Sequence, residues 1–291
     1  MSREIKVLHL EPTDVCQAAC PLCKREIDTN FNKKQQNHLS IKQIAVHVDD
    51  DAILNLHKMF MCGNYGDPAA GRHTLDIYRY FRKINPEIVL GMNTNGAIQN
   101  TAWWQTLGEI FHRQRDYVVF SIDGLEDTNH IYRRGVDWNK LMENVRSYIS
   151  TGASAHWDML VYQHNEHQVD ACEQLARDMG FTWFRAKISK RPLYPGLEYP
   201  LAWNPPIVHF KEINCLALEE KSMYIDAQGR QSPCCFLGSR QTDFIHDLKE
   251  VMPSWITDDP DPTCLSACGQ EKDQTNFRAQ WRREVELCEI T

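Results

Sequence analysis

The sequence has no run of 18 apolar residues and no charged-then-apolar signal segment at its N-terminus. Both absences count against a membrane-spanning or secreted protein, so we expect a cytoplasmic location and no membrane partner. Positive charge is also in deficit, because 32 Lys and Arg face 39 Asp and Glu and give a net charge of −7. This deficit disfavours nucleic acid as the main partner, since phosphate binding relies on surplus Lys and Arg.

Cysteine, by contrast, is plentiful, with 11 residues in a chain of 291. In a cytoplasmic protein this number favours metal ligands over disulfides, because thiols stay reduced there. Three of them, Cys16, Cys20 and Cys23, stand in a C-x3-C-x2-C arrangement after the apolar, strand-like run 5–10. We therefore expect a metal-binding loop at the end of the first strand.

The spacing of this cysteine loop suits an iron–sulfur centre. Three thiolates can hold three irons of a four-iron cluster, because cysteine is the usual ligand of such clusters. None of the 38 residues after Cys23 is a cysteine, so one iron is expected to stay open for a substrate or cofactor, as in catalytic metal sites. A structural zinc site, usually built from C-x2-C pairs, and unrelated buried thiols are the alternatives at this point.

Strand-like and helical patterns alternate about six times over residues 5–188. This alternation predicts βαβ units around a parallel sheet, which right-handed crossovers would curl into a barrel or leave open. In both architectures the active site lies at the carboxyl ends of the strands, where the cysteine loop falls. Strands are predicted at 5–10, 58–62, 87–92, 117–122, 155–162 and 181–188, helices at 74–84, 101–113, 138–150 and 166–179, and an irregular loop at 24–39.

Short polar motifs follow several of these strands. Gly66-Asp67-Pro68 follows the second strand, 93–96 (Asn-Thr-Asn-Gly) follows the third, and Ser121 and Asp123 end the fourth, with Arg133 ten residues later. Taken alone, each motif is typical of an ordinary turn or cap.

The cysteine loop and the order of these motifs resemble the radical S-adenosylmethionine (radical SAM) superfamily. The resemblance implies an α/β fold with a partial (β/α)6 barrel, and SAM bound to the open iron of a four-iron cluster. It assigns the cluster to Cys16, Cys20 and Cys23, and the SAM contacts to Gly66, Asp67, Asn95, Ser121, Asp123 and Arg133. Two departures are visible, since Leu22 replaces a residue that is often aromatic, and Asp67 replaces the Glu of a Gly-Gly-Glu-Pro motif.

A second group of cysteines follows a proline-rich stretch at 190–206. Cys215 and Cys234 flank a hairpin-like segment with a glycine at its turn, and Cys264 and Cys268 follow about 30 residues later. Four thiolates can fully ligate a four-iron cluster or a tetrahedral zinc ion. The pattern resembles the SPASM domain of radical SAM enzymes, or its one-cluster form called twitch, and implies an auxiliary four-iron cluster on these four cysteines.

We therefore expect three regions in the chain. They are a barrel at 1–190, a linker at 191–212 and an auxiliary-cluster domain at 213–291, which contains a β-hairpin and helices. The resemblance covers roughly residues 5–270.

The assignment of the later cysteines leaves alternatives. Cys264 and Cys268 form C-x3-C, whereas the second pair in the family is commonly C-x2-C. Cys235 could replace Cys234 as a ligand, and Cys288 could replace one of the later pair. Cys235 is also the spare thiol best placed to donate a hydrogen atom, because it stands beside a ligand.

The expected function is that of a radical SAM enzyme. The resemblance implies reductive cleavage of SAM to a 5′-deoxyadenosyl radical, which abstracts a hydrogen atom from the substrate. The auxiliary cluster would transfer electrons, and a flavodoxin or ferredoxin would act as electron donor. The short appendage, with no leader-binding domain before residue 5, favours oxidation or another modification of a small molecule.

Two alternatives stand beside this expectation. The first is maturation of a ribosomal peptide by crosslinking or epimerisation, because a peptide leader could bind elsewhere or through a separate protein. The second is a zinc-stabilised binding protein without catalysis, in which both cysteine groups are structural. The bound metal distinguishes this second alternative from a radical SAM enzyme, since an iron–sulfur protein is brown and a zinc protein is colourless.

Overall fold

The computed structural model describes residues 5–189, 195–201, 213–238, 262–269 and 283–287. Within these ranges nine strands form one sheet. The strands are β1 (Val7–Leu10), β2 (Lys58–Met61), β3 (Val89–Thr94), β4 (Tyr117–Ser121), β5 (Ala155–Val161), β6 (Trp183–Ile188), β7 (Ser222–Ile225), β8 (Gln231–Ser232) and β9 (Arg283–Glu286).

The centre of this sheet is a partial barrel of parallel strands. Strands β1 to β6 pair in chain order, each parallel to the next. Strand β7 adds to β1 in parallel, whereas β8 and β9 pair antiparallel with β7 and β6. In the described part of the chain β8 and β9 are the two edges, so the sheet is not closed. The predicted α/β fold with a partial barrel is confirmed.

The eleven described α-helices fall in two groups: those before residue 180 link the successive parallel strands, as the alternating pattern predicts, and the last three belong to the C-terminal part of the chain. The helices are α1 (Lys24–Ile27), α2 (Ile41–Ala45), α3 (Asp50–Leu54), α4 (Thr74–Ile84), α5 (Thr101–Ile110), α6 (Glu126–Tyr132), α7 (Trp138–Ile149), α8 (Val169–Met179), α9 (Leu216–Glu219), α10 (Cys235–Gly238) and α11 (Pro262–Cys268). None of the described helices is both long and apolar enough to cross a membrane.

Three helical details differ from the sequence prediction. The helix predicted at 101–113 ends at Ile110, because Phe111 leaves the helical region with ψ 52°. The predicted irregular loop 24–39 begins with the short helix α1. Helix α6, which lies between two predicted elements, has too few residues to show a clear apolar period.

Side chains alternate between the two faces of each strand. Leu8, Leu10 and Met59 are fully buried in the hydrophobic core. His9 and Phe60 lie on the opposite face, and their rings stack with centroids 4.3 Å apart. The inner face of the partial barrel therefore carries aromatic and polar residues that can line a site.

The C-terminal part of the chain contributes strands to both edges of the sheet. The hairpin of β7 and β8 extends the β1 edge, and β9 extends the β6 edge. The Leu287 N–H continues the β9 pairing by donating to the Thr182 carbonyl at 2.9 Å. Most of the predicted linker lies outside the described residues, so the domain limits stay a prediction.

Candidate active site

The cysteine loop starts where β1 reaches the carboxyl edge of the sheet. A turn closes inside the loop, because the Cys23 N–H donates to the Cys20 carbonyl at 2.9 Å. The Ala19 N–H donates to the Arg134 carbonyl at 2.8 Å. The loop is thereby fixed against the segment that follows α6.

Hydrogen-bond donors face two of the three thiols. The Ala18 N–H lies 3.4 Å from Cys16 Sγ, and Asn95 Nδ2 lies 3.7 Å from the same atom. Arg133 Nη1 lies 4.0 Å from Cys20 Sγ. Burial raises the pKa of both thiols, so a metal must displace their protons, and these donors then stabilise the thiolates. The donor set fits a thiolate-bound iron–sulfur cluster.

The carboxylate of Asp67 is buried and fully engaged inside the protein. It accepts hydrogen bonds from Thr94 Oγ1 at 2.8 Å, from the Ala69 N–H at 2.9 Å, and from both the N–H and Nδ2 of Asn95 at 2.7 Å. Asn95 is thereby turned toward the cysteine loop, where its Oδ1 accepts Gln17 Nε2 at 2.7 Å. Asp67 therefore orients the end of β3.

The loop 63–66 packs tightly on the base of the cysteine loop. A Cβ placed on Gly66 would lie 1.9 Å from the Thr13 carbonyl oxygen, and one on Gly63 would lie 2.0 Å from the Gly66 carbonyl oxygen. Both contacts are far inside van der Waals distance, so this packing requires glycine at both positions. The close approach brings the backbone of the loop next to the thiols.

Arg133 is oriented by a buried carboxylate. Its Nε donates to Asp123 Oδ2 at 2.6 Å, and the other oxygen of Asp123 accepts the Leu160 N–H at 2.6 Å. Because Asp123 occupies Nε, the Nη end of the guanidinium is directed toward Cys20. This geometry places a fixed cation beside the cysteine loop, where a carboxylate could be bound.

A polar row crosses the inner face of β4, β5 and β6. Ser121, Asp158 and Arg185 are register partners on these three strands. Asp158 accepts Arg185 Nε at 2.8 Å and Lys187 Nζ at 2.6 Å. Burial alone would raise the pKa of Asp158, but the two cations hold it below its ordinary value.

Sequence reasoning identified Ser121 in this row but missed Asp158, Arg185 and Lys187. The available signal was a set of charged residues at alternate positions of otherwise apolar strands. Both cations pair with the buried Asp158 carboxylate, so this part of the inner face carries charged groups that could line a site.

Sequence reasoning also missed Glu11, which directly follows β1 and is 1 % exposed. Its Oε1 accepts the N–H of Tyr65 at 2.7 Å and of Gly66 at 3.1 Å. Its Oε2 accepts the Tyr224 hydroxyl. Burial raises the pKa of Glu11 to about 7, against these hydrogen bonds. Its signal in the sequence is a charged residue at the end of an apolar strand.

The C-terminal cysteines line one cavity of about 160 Å³. They come from three separate segments, and the Asn214 N–H joins two of these by donating to the Cys268 carbonyl at 3.2 Å. The structure thus brings together the four predicted ligands and one neighbour, Cys215, Cys234, Cys235, Cys264 and Cys268. The other lining residues are mostly apolar, including Ile213, Leu216, Met223, Phe236 and Leu237.

Cys234 has the surroundings of a ligand. Its thiol accepts the backbone N–H groups of Phe236 and Leu237, and Cys215 and Cys268 are close enough to perturb its pKa. Burial raises that pKa, whereas the two N–H groups lower it. Such N–H donors stabilise a metal-bound thiolate.

Cys235 points toward different neighbours, since Cys62 and Glu11 act on its pKa as well as Cys234. It therefore lies on the barrel side of the cavity, and the contacts favour Cys234 as the ligand. Cys288 lies outside the described residues. Among the described residues, no three His, Cys, Asp or Glu side chains are grouped as ligands of a single metal ion.

The fold and site define a class of protein, namely a partial parallel barrel that presents three thiols of one loop at its carboxyl edge. Residues 10–176, more than half of the chain, match the Radical SAM superfamily, and the chain belongs to that superfamily. Members of this superfamily are enzymes, and SAM and a four-iron cluster are the cofactors it implies. No curated protein matches the chain in sequence.

Solved structures share this fold at low sequence identity. SuiB of Streptococcus suis, bound to its precursor peptide SuiA, is 14% identical with a TM-score of 0.59, and the match covers 88% of this chain and 65% of SuiB. The protein anSMEcpe with bound AdoMet is 16% identical with a TM-score of 0.52, and the match covers 65% of this chain and 51% of that one. The chain thus spans about two thirds or less of these proteins.

Proposed function

We propose that this chain is a radical SAM enzyme with an auxiliary four-iron cluster in its C-terminal region. The observation that carries the proposal is the grouping of thiols at two places, three in the loop after β1 and five, among them the four proposed ligands, in the cavity beside β7. Membership of the superfamily supports the first group, and the shared cavity supports the second.

Cys16, Cys20 and Cys23 would hold the first cluster. When that cluster and SAM are bound, they supply one-electron reductive cleavage of SAM to methionine and a 5′-deoxyadenosyl radical, which takes a hydrogen atom from the substrate. The protein supplies thiolates, nearby donors and a loop held rigidly at the sheet edge. Three protein ligands leave one position of the site open.

Arg133 would bind the carboxylate of SAM, because Asp123 holds the guanidinium with its Nη end toward Cys20. The loop that ends at Gly66 and Asp67 would bind the amino group. We assign that contact to the backbone of the loop, since the Asp67 carboxylate already accepts four hydrogen bonds within the protein.

The other two predicted contacts would line the same site. Asn95 is directed at the cysteine loop by Asp67. Ser121 ends β4 on the inner face, level with Asp158 and Arg185. Both residues can thus reach SAM or the substrate from inside the partial barrel.

Cys215, Cys234, Cys264 and Cys268 would hold the auxiliary cluster. Four thiolates leave no open iron, so the role of this cluster is electron transfer from the substrate radical or to the first cluster. Cys235, on the barrel side of the cavity, stays a candidate hydrogen donor. Assigned in this way, residues 213–291 form the auxiliary domain, and an external flavodoxin or ferredoxin provides electrons.

The substrate we propose is a small molecule that is oxidised or otherwise modified. The polar row of Ser121, Asp158 and Arg185 on the inner face favours a substrate with polar groups. A peptide substrate is the second candidate. It is favoured by the peptides bound in two proteins of the same fold, SuiA on SuiB and the Cp18Cys peptide on anSMEcpe.

The test is SAM cleavage by protein reconstituted with iron and sulfide under anaerobic conditions and reduced with dithionite. We expect 5′-deoxyadenosine from the wild type and none from the Cys16→Ala/Cys20→Ala/Cys23→Ala variant. Zinc in place of iron, or no cleavage by fully loaded protein, would instead support a binding protein without catalysis.

A further inference from the structure

The buried carboxylate of Glu11 joins the end of β1 to two other parts of the molecule. One oxygen accepts the N–H groups of Tyr65 and Gly66, which belong to the loop assigned to the SAM amino group. The other oxygen accepts the hydroxyl of Tyr224, which belongs to the C-terminal strand β7. A single side chain therefore links the SAM loop to the C-terminal region.

A second contact runs parallel to the first. Asn64 Nδ2 donates to the Cys235 carbonyl at 2.8 Å and lies 3.4 Å from the Tyr224 hydroxyl. The loop 63–66 is thus held on one side by the cysteine loop and on the other by β7 and α10. Its position depends on both.

Tyr224 connects this hydrogen-bond network to the cysteine cavity. Its ring lines the cavity and packs so closely on α10 that a Cβ on Gly238 would lie 2.4 Å from its Cε1. Helix α10 begins at Cys235, and its Gly238 N–H donates to the Cys234 carbonyl at 3.0 Å. The backbone of Cys234, the ring of Tyr224, the carboxylate of Glu11 and the SAM loop are therefore in continuous contact.

We propose that Tyr224 and Glu11 are positioning residues that couple the C-terminal cysteine cavity to SAM binding. The proposal rests on the proposed function, because it takes the loop 63–66 as the SAM site. Neither residue is among the predicted ligands of iron or contacts of SAM. When Cys234 is held by its metal, α10 holds Tyr224, and Glu11 keeps the loop N–H groups in place.

The first test compares Tyr224→Phe with the wild type, both loaded with iron, by the dissociation constant for SAM from equilibrium dialysis. Loss of a hydrogen bond to a carboxylate should weaken SAM binding about tenfold, with unchanged iron content. Tyr148→Phe is the matched control, because it removes another buried hydroxyl, bonded to the Ser154 carbonyl at 3.2 Å. Equal SAM affinity of Tyr224→Phe and wild type would overturn the proposal.

A double-mutant cycle tests the link to the cavity. Cys234→Ala should weaken SAM binding in the wild-type background but cause little further loss in Tyr224→Phe, because both changes interrupt one path. Additive losses would overturn the coupling. Should Tyr224→Phe bind less iron, Glu11→Gln replaces it in both experiments.

The outcomes separate this inference from the proposed function. If the iron-loaded wild type does not bind SAM, the proposed function fails and the coupling fails with it. If the wild type and Tyr224→Phe bind SAM equally well, the coupling alone fails. A spectroscopic check is the electron paramagnetic resonance signal of the first cluster, whose SAM-dependent shift should require about tenfold more SAM in Tyr224→Phe.

Discussion

The two cysteine groups differ in how the chain assembles them and in what surrounds them. Cys16, Cys20 and Cys23 lie within eight residues on one loop, next to the polar side chains of Asn95 and Arg133. The C-terminal thiols come from three segments and share a cavity whose other walls are mostly apolar. The surroundings of the first group, the proposed open site, suit a polar ligand, and those of the second group, the proposed enclosed site, suit a fully ligated cluster.

This difference agrees with the proposed roles of the two sites. A site that binds SAM must keep one position open and must offer partners for charged groups. A site that only passes electrons is better fully ligated in apolar surroundings, because protein ligands and low polarity tune the reduction potential. Glu11 and Tyr224 lie where the two sites meet.

The largest effect should come from breaking the open site. Cys16→Ala removes one of the three proposed thiolate ligands, so we expect loss of about four irons per chain and no 5′-deoxyadenosine above background. Iron analysis and chromatography of the anaerobic reaction measure both. The control is Cys172→Ala, a fully buried thiol of α8. Normal cleavage by Cys16→Ala would contradict the assignment.

Removing two proposed ligands of the enclosed site should separate SAM cleavage from substrate turnover. The Cys234→Ala/Cys268→Ala variant is expected to lose about four irons, yet to cleave SAM when SAM is saturating, because the open site keeps its ligands. Product formation from the substrate should be lost. The assignment of two separate clusters would be contradicted if this variant kept all its iron, or if it lost SAM cleavage at every SAM concentration.

Glu11, which links the loop 63–66 to β7, should make the stability of the protein depend on pH. The pKa of Glu11 is about 7 when folded and 4.5 ordinarily, so between these values the folded state holds a proton that the unfolded state releases. The free energy of unfolding of the wild type should therefore fall, relative to Glu11→Gln, by about 2.5 kcal/mol as the pH rises from 5 to 8. Urea denaturation of metal-free protein at both pH values measures this change, and a constant difference between the two proteins would contradict the raised pKa of Glu11.

The smallest of these effects is expected at Arg133, the residue proposed to bind the carboxylate of SAM. Arg133→Lys keeps the charge but loses the forked geometry, so SAM affinity should fall by about 2 kcal/mol, or about thirtyfold. Arg134→Lys is the matched control next to it. A larger loss in Arg134→Lys than in Arg133→Lys would move the carboxylate contact to the neighbouring residue.

Local patterns were enough to predict the six parallel strands and the cysteine loop. The apolar run before Cys16 and the spacing of the three cysteines lie within a short stretch of chain. Parallel strands bring their carboxyl ends to one edge, which is why Asp67 and Asn95 could be predicted near the thiols. Arg133 lies well beyond the end of β4, and its place beside the thiols was predicted only from the resemblance to the radical SAM superfamily.

Contacts between distant residues could not be predicted. Tyr224 reaches Glu11 across 213 positions, because β7 pairs parallel to β1 in the register His9 to Tyr224. Nothing in the local sequence of β7 specifies that partner, since an isolated apolar strand can add to either edge of a sheet. The hydrogen bonds from Thr94 and Asn95 to Asp67 could not be predicted either, because they join residues 27 and 28 positions apart.

The measurement that tests the central claim most directly is the electron paramagnetic resonance spectrum of the dithionite-reduced protein with and without SAM. The central claim is that one cluster is open and the other is fully ligated. We predict that SAM shifts the signal of the Cys234→Ala/Cys268→Ala variant and leaves that of the Cys16→Ala/Cys20→Ala/Cys23→Ala variant unchanged. A SAM-dependent shift in the variant without the first cysteine group, or no cluster signal from it, would contradict the claim.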